Sequence, residues 1–291
     1  MKIREYIKRG IKYIIYGQPT TKIIAQISYL APTEMLVGRT ALITGGTSGI
    51  GYEMAKAFIN AGATCIITGR NETKLNEACK RIDEETSRKG RIYGLTWDVT
   101  NIENDQVKLQ EALSLVGGRK IDILVNNAGV VGGEIRVCDE GKYDAIIDTN
   151  LKGTFFLSQL MANYMKDNHI KGNILNVGSS SSLRPATSAY TISKWGILGM
   201  TKGLAKILAP YGITVNGIAP GPTATPMLMP NGIREDIAFP TNPLGRYIMP
   251  GEVANMAVFL VSDMGRAIIG DMVFMTGGSG VVTYDDVKYY F

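Results

Sequence analysis

The sequence predicts an α/β protein, a single doubly wound domain on a seven-stranded parallel sheet with a helical extension at its N-terminus. Two observations carry this. Apolar, β-rich runs recur at 40–43, 63–68, 91–97, 121–125, 173–177, 213–218 and 271–275, and longer amphipathic stretches fill the intervals at about 50–61, 71–88, 101–116, 140–168, 189–209 and 251–263. Strands joined by helical crossovers lie parallel, and a sheet covered on both faces reads as near-continuous apolar runs. The second observation is the stretch Thr44-Gly45-Gly46-Thr47-Ser48-Gly49-Ile50-Gly51, which directly follows the run Thr40-Ala41-Leu42-Ile43. No second alternating block and no internal repeat appears, so residues 36–291 are read as one domain and 1–35 as an extension.

The extension comes first in the chain. Ile3, Ile7, Ile11, Ile14 and Ile15 share one side of a helix, and Glu5, Lys8, Arg9 and Lys12 the other. Residues 1–30 hold six basic residues against one acid, which leaves 25 of each sign in the rest of the chain. The net charge of +5 therefore belongs to the arm. A nucleic-acid surface on the globular body is not supported. Packing on the body or on a neighbouring subunit is the first reading of the arm, and peripheral contact of residues 1–16 with an anionic membrane surface is the second.

Bulk features narrow the class. No run is long enough to span a bilayer, and no signal-peptide pattern is present. The three cysteines, Cys65, Cys79 and Cys138, are scattered and read as reduced thiols, which predicts a cytoplasmic protein. One histidine, His169, and no paired cysteines give no metal constellation.

Strand, glycine turn and helix form a phosphate cradle, because the turn brings the backbone close to the anion and the free N–H groups of the helix's first turn point at it. Thr47 and Ser48 add hydroxyl donors. The second strand, Ala63 to Thr68, ends in Gly69-Arg70-Asn71. A carboxylate there holds the ribose hydroxyls of NAD. An arginine stands instead, and a guanidinium pairs with a 2′-phosphate. The cofactor predicted is therefore NADP(H), with Arg70 and Asn71 at that end of the nucleotide.

Tyr190-Thr191-Ile192-Ser193-Lys194 opens a helical segment. Residues four apart share a helix face, so Tyr190 and Lys194 stand together. An adjacent ammonium favours the phenolate, and such a pair exchanges a proton with an alcohol.

Taken together, Thr44-Gly45-x-x-x-Gly49-Ile50-Gly51, Asn126-Asn127-Ala128-Gly129, Asn150 within Thr149-Asn150-Leu151-Lys152-Gly153, Ser179, Tyr190-x-x-x-Lys194 and Pro220-Gly221 stand in an order and spacing that resemble the classical short-chain dehydrogenases/reductases. The resemblance covers roughly residues 36–280 and leaves the arm unexplained. It implies a Rossmann-type fold and interconversion of a carbonyl and an alcohol by hydride transfer. Tyr190 would be the general acid or base and Ser179 the hydrogen-bond partner of the substrate oxygen, with Ser180 second among four consecutive serines. Lys194 would hold the nicotinamide ribose and lower the tyrosine pKa. Asn150 would position a water in the proton relay. The segment from Gly45 through Gly46, Thr47, Ser48, Gly49 and Ile50 to Gly51 would take the pyrophosphate and adenosine side. Asp98 and Val99 would meet the adenine. Asn127, Ala128 and Gly129 would wall the cofactor, and Thr223 and Thr225, after Pro220-Gly221, would contact the carboxamide and pyrophosphate.

The Ser179–Tyr190 gap is short for the family and implies a trimmed substrate-side loop. Residues 226–246 are expected to form an apolar, Met-containing lid over the substrate. Arg184 is read as a solvated loop residue, with contact to an anionic substrate group as its second reading. The family's habit implies a homodimer or homotetramer built on the 140–168 and 189–209 segments. The alternative to an enzyme is a regulatory or scaffold protein that keeps the fold and binds NADP(H) without turnover.

Overall fold

The structure, a computed structural model, describes residues 31–229 and 237–283. The arm read as helical from its periodicity and the middle of the expected lid lie outside the described residues.

Seven strands form one sheet: β1 (Thr40–Ile43), β2 (Thr64–Gly69), β3 (Ile92–Thr96), β4 (Ile123–Asn126), β5 (Asn173–Val177), β6 (Thr214–Pro220) and β7 (Met272–Met275). Their order is β3-β2-β1-β4-β5-β6-β7, and every pair is parallel. The helices are α1 (Gly49–Asn60), α2 (Glu72–Glu85), α3 (Asp105–Leu115), α4 (Glu140–Ile147), α5 (Gly153–Asp167), α6 (Ala189–Leu208) and α7 (Pro250–Val261). The order reverses between β1 and β4. In a sheet of this kind the crevice for a ligand opens outside the carboxyl ends of the strands at that reversal.

The two faces of the sheet bury separate apolar layers. On β1, Ala41 and Ile43 join Phe58, Ile67, Val125, Ile218 and Val258 beneath α1 and α7. Leu42 points the other way and joins Ile66, Leu109, Leu124, Leu157, Met161 and Val215 beneath α3, α5 and α6. The alternation follows from the two-residue period of a strand, and burial on both sides explains why the run carries no polar face. At the opposite end of the sheet from the crevice, the Arg39 guanidinium pairs with Asp122 and bonds Asn173, and Asp122 Oδ1 accepts the Thr40 N–H at 2.8 Å. This clamp fixes the starts of β1, β4 and β5 together.

The stretch 140–168 reads as one amphipathic helix in sequence but is two. A π-helical turn, Asp148–Lys152, separates α4 from α5. Asn150, in the middle of that turn, is 1% exposed, and its side chain leaves the helix to bond the chain after β4. The wider turn accommodates one residue out of helical phase, which periodicity in the sequence does not reveal. Among the described residues no helix is long and apolar enough to cross a membrane, and no cluster of His, Cys, Asp or Glu is arranged to hold a metal ion.

Candidate active site

A cleft of about 570 Å³ opens at the carboxyl ends of the strands. One half is built from the β1–α1 turn and the ends of β2, β3 and β4. Gly45, Thr47, Ser48, Gly49 and Ile50 line it, together with Arg70, Asp98, Val99, Asn127, Ala128 and Gly129. The chain turns at Gly45 with φ +65°, and a Cβ there would lie 2.9 Å from the Ala128 backbone. Only glycine suits both constraints. Ser48 occupies the N-cap of α1 without a side-chain capping bond, so the first turn's N–H groups face the cleft uncapped. Among the residues at the end of β2, Arg70 is exposed on the rim.

Three residues assigned to the nucleotide take other positions. Gly46 packs against β2, where a Cβ would meet Ile67 at 2.5 Å. Gly51 packs against Asn127 and the Gly45 carbonyl. Asn71 caps α2, its Oδ1 accepting the Lys74 N–H at 2.8 Å. Asn127 wall-lines the cleft and is also a staple: its Nδ2 donates to the carbonyls of Thr44 and Gly45, both at 2.9 Å. Thr44 Oγ1 in return accepts the N–H groups of Asn127 and Ala128. Asp98 Oδ1 accepts from the Thr100 N–H and hydroxyl, a turn bond that fixes its other oxygen's direction.

The other half gathers around the end of β5. Ser179, Ser180, Tyr190 and Lys194 line it, with Pro220, Gly221, Thr223 and Thr225 on the neighbouring wall. Helix α6 starts under a Ser188 cap, whose Oγ accepts the Thr191 N–H at 3.1 Å, and this places Tyr190 and Lys194 in its first turns. Lys194 is buried, its Nζ donates to the Val177 carbonyl at 2.9 Å, and it lies 5.6 Å from the centre of the Tyr190 ring. Burial pushes the Lys194 amine down to about 8.

The expected depression of the tyrosine by that ammonium is not what the geometry delivers. Burial raises the Tyr190 phenol, and the opposing influence is a hydrogen bond with the Ser179 hydroxyl. The lysine is aimed at a backbone carbonyl on β5 instead of the phenol oxygen. Ser179 Oγ also accepts the Ser181 N–H at 3.1 Å, which orients it at the start of the 3₁₀ turn Ser180–Leu183.

Asn150 is adjacent rather than lining. Its Oδ1 accepts the Val130 N–H at 2.8 Å, and its Nδ2 donates to the Val130 carbonyl at 2.9 Å and to Ser193 Oγ at 3.1 Å. Both amide hydrogens are engaged, and its backbone carbonyl accepts the Thr154 hydroxyl at 2.8 Å. Ser193, which sequence reasoning missed, is fully buried and donates to the Tyr190 carbonyl at 2.6 Å. Its place just before Lys194 was the available signal. The hydroxyls of Thr223 and Thr225 turn back on their own loop, Thr223 Oγ1 donating to the Gly221 carbonyl at 2.8 Å.

Arg184 departs from its solvated reading. It is 5% exposed and forms part of the cleft wall. The chain after β7 folds over it, and Nη2 donates to Ser279 Oγ at 2.8 Å. Met227 and Leu228, from the start of the expected lid, border the cleft, and so do Trp97, Val130, Thr187 and Ser279, which carried no local motif.

A doubly wound parallel sheet, an uncapped helix start beyond a glycine turn at the strand reversal, and a tyrosine–lysine pair across the cleft define a nucleotide-binding oxidoreductase. The comparisons with known proteins name the group within that class. A family model described as short chain dehydrogenase matches residues 39–236, and the chain belongs to this family. It is 37% identical over 250 residues to a 3-oxoacyl-(acyl-carrier-protein) reductase of Thermotoga maritima, covering 84% of this chain and 98% of that protein. It is 33% identical over 248 residues to an acetoacetyl-CoA reductase of Acinetobacter, covering 82% and 97%. Among solved structures, a 3-ketoacyl-(acyl-carrier-protein) reductase from Brucella melitensis complexed with NADH matches at a TM-score of 0.76 and 30% identity, covering 84% of this chain and all of that one. An actinorhodin polyketide ketoreductase with NADPH matches at 0.75 and 30%, covering 84% and 97%. Relatives of this chain therefore hold both NADH and NADPH, and the reaction class is carbonyl–alcohol interconversion.

Proposed function

We propose that this protein reduces the ketone of a 3-oxoacyl thioester or a similar oxo compound with NADPH. The observation that carries the reading is the cleft itself, which runs from Arg70 past the glycine turn to Tyr190 and Ser179. NADPH, when bound, supplies a hydride to the carbonyl carbon. The chain's residues do the rest. The α1 N-terminus and the Thr47 and Ser48 hydroxyls take the phosphates, and Arg70 pairs with the 2′-phosphate. Lys194 holds the ribose from its seat on the Val177 carbonyl. Ser179 donates to the carbonyl oxygen, and Tyr190 delivers the proton as negative charge develops there. A phenol that burial keeps protonated is suited to the acid role of a reductase. Asn150 holds Val130 and, through Ser193, the first turn of α6, so it keeps the two walls of the site in register.

Two arguments support a thioester ketone ahead of a steroid, quinone or keto sugar. Relatives acting on acyl thioesters recur among those most similar, and the substrate end mixes Met227 and Leu228 with serine hydroxyls. Exposed Phe155 on α5 and Ile192 and Trp195 on α6 support assembly into a dimer or tetramer through these helices.

The test is an assay of NADPH and NADH oxidation with acetoacetyl-CoA. Turnover with a preference for NADPH is expected. A charge-assisted contact contributes roughly 1.5–3 kcal/mol, so Arg70→Ala should weaken NADPH by about tenfold or more and leave NADH nearly untouched. Wild-type preference for NADH would overturn the cofactor reading. Inertness toward acetoacetyl-CoA, with turnover of a steroid, quinone or keto sugar, would overturn the substrate reading alone.

A further inference from the structure

Arg184 lies where three segments meet. Its own turn carries Ser179. Its backbone carbonyl accepts the Trp195 indole N–H from α6 at 2.8 Å. Its guanidinium meets the loop after β7, where Nη2 donates to the buried Ser279 hydroxyl and a Cβ on Gly280 would sit 3.4 Å away. That loop also grips the segment 242–248, which leads back to the cleft wall at 222–225 through Ile248. Asn242 Nδ2 donates to the Thr276 carbonyl at 2.9 Å, Asn242 Oδ1 accepts the Leu244 N–H at 2.9 Å, and the Leu244 N–H also reaches the Gly277 carbonyl at 3.0 Å.

We propose that Arg184 is a positioning residue for the substrate side of the site: through Ser279 it ties the turn bearing Ser179 to the loop after β7, and through that loop to residues 242–248. The glycine turn and Arg70 lie at the other end of the cleft, and the nearest route of contacts to them runs from Ile248 through the 222–225 loop to Thr225 beside Gly49. A buried guanidinium is costly to leave without its partners, so the tie is held strongly in one geometry. Loosening it moves Ser179 relative to Tyr190 without touching the nucleotide cradle. The kinetic side of this inference rests on the reading of Ser179 as the residue that meets the substrate oxygen.

Ser279→Ala is the mild probe, because it removes one hydroxyl and keeps the guanidinium. The bond lost is donated by a charged guanidinium, so kcat/KM for the carbonyl compound should fall about tenfold or more. The NADPH dissociation constant, read by fluorescence titration, should stay within about twofold of wild type, as a contact remote from the cradle requires. Arg184→Met should lower kcat/KM further, and the double variant should be no worse than Arg184→Met, since both remove one link. Hydrogen exchange reads the link without turnover: amides in 178–187 and in 242–248 should both exchange faster in Ser279→Ala. Multiplicative losses in the double variant, or unchanged exchange in either segment, would overturn the proposal. If the wild type reduces no carbonyl compound, the functional reading fails, and the exchange data still decide the tie.

Discussion

A methyl group on Gly51, at the nucleotide end of the cleft, would lie 2.4 Å from the Asn127 carboxamide and 2.6 Å from the Gly45 carbonyl. A methyl group on Gly245, in the loop held by Asn242 against the chain after β7, would meet nothing within 4 Å. The nucleotide end is made where strand ends converge, and its shape is fixed by backbone packed against backbone. The substrate end is made of turns and loops tied by side chains such as Arg184, Ser279 and Asn242. A ligand part that never changes suits the first construction. A part that varies among relatives suits the second, where a side chain can be exchanged without disturbing the sheet.

The sharpest way to separate the two ends is Tyr190→Phe. Loss of a general acid costs about 10²–10⁴ in rate, so kcat should fall about a thousandfold while NADPH titrates as in the wild type. Retained turnover would dissolve the assignment. Gly51→Ala attacks the other end. The added carbon displaces Asn127 from the Thr44 and Gly45 carbonyls, and overpacking of this kind costs roughly 1–3 kcal/mol. The melting temperature should drop by several degrees, and NADPH affinity should weaken alongside it.

Lys194, at the junction of the two ends, has a pH signature. Its folded-state amine is pushed down to about 8 from an ordinary 10.5, so between these values the unfolded chain binds the extra proton. The Lys194 contribution to stability should therefore rise as pH climbs from about 8 to about 10, by at most about 1.4 kcal/mol per pH unit for one proton, while the Cys65 and Cys79 thiols, raised by burial, oppose it from about pH 9. Above pH 10 the raised tyrosine opposes the trend. Denaturant titrations of wild type and Lys194→Met across this window check it, and an identical slope in both would refute it. The smallest effect is expected at Gly251, in the first turn of α7, where an added methyl has open space. Gly251→Ala should stabilise by roughly 0.5–1 kcal/mol with unchanged kinetics.

The strands were legible because each is buried on both faces and reads as an apolar run, and the glycine turn because its backbone leaves no room for a side chain. Tyr190 and Lys194 were legible as a pair from helical spacing. What that spacing could not show is the target of the amine: the Val177 carbonyl lies 17 residues away, on another element. The burial of Arg184 was hidden for the same reason, since its partner Ser279 stands 95 residues further on. The capping bond of Asn71 was not legible, because a residue beside a rim arginine is equally a helix cap. Non-local partners of this kind leave no trace in a local pattern.

The widened turn at Asp148–Lys152 also bears on how the chain tolerates editing. A π turn is an α-helix with one residue inserted, so excising a single residue there restores the regular spiral. Helix α5 would then keep its seat on the sheet, with Leu157 and Met161 still facing inward, and α4 its packing against α6. Only the projection of Asn150 toward Val130 and Ser193 would be lost. A one-residue deletion at this point is thus a scalpel that parts foldedness from catalysis: the shortened protein should melt cooperatively, and it should do so as a protein whose two walls no longer share a hinge pin.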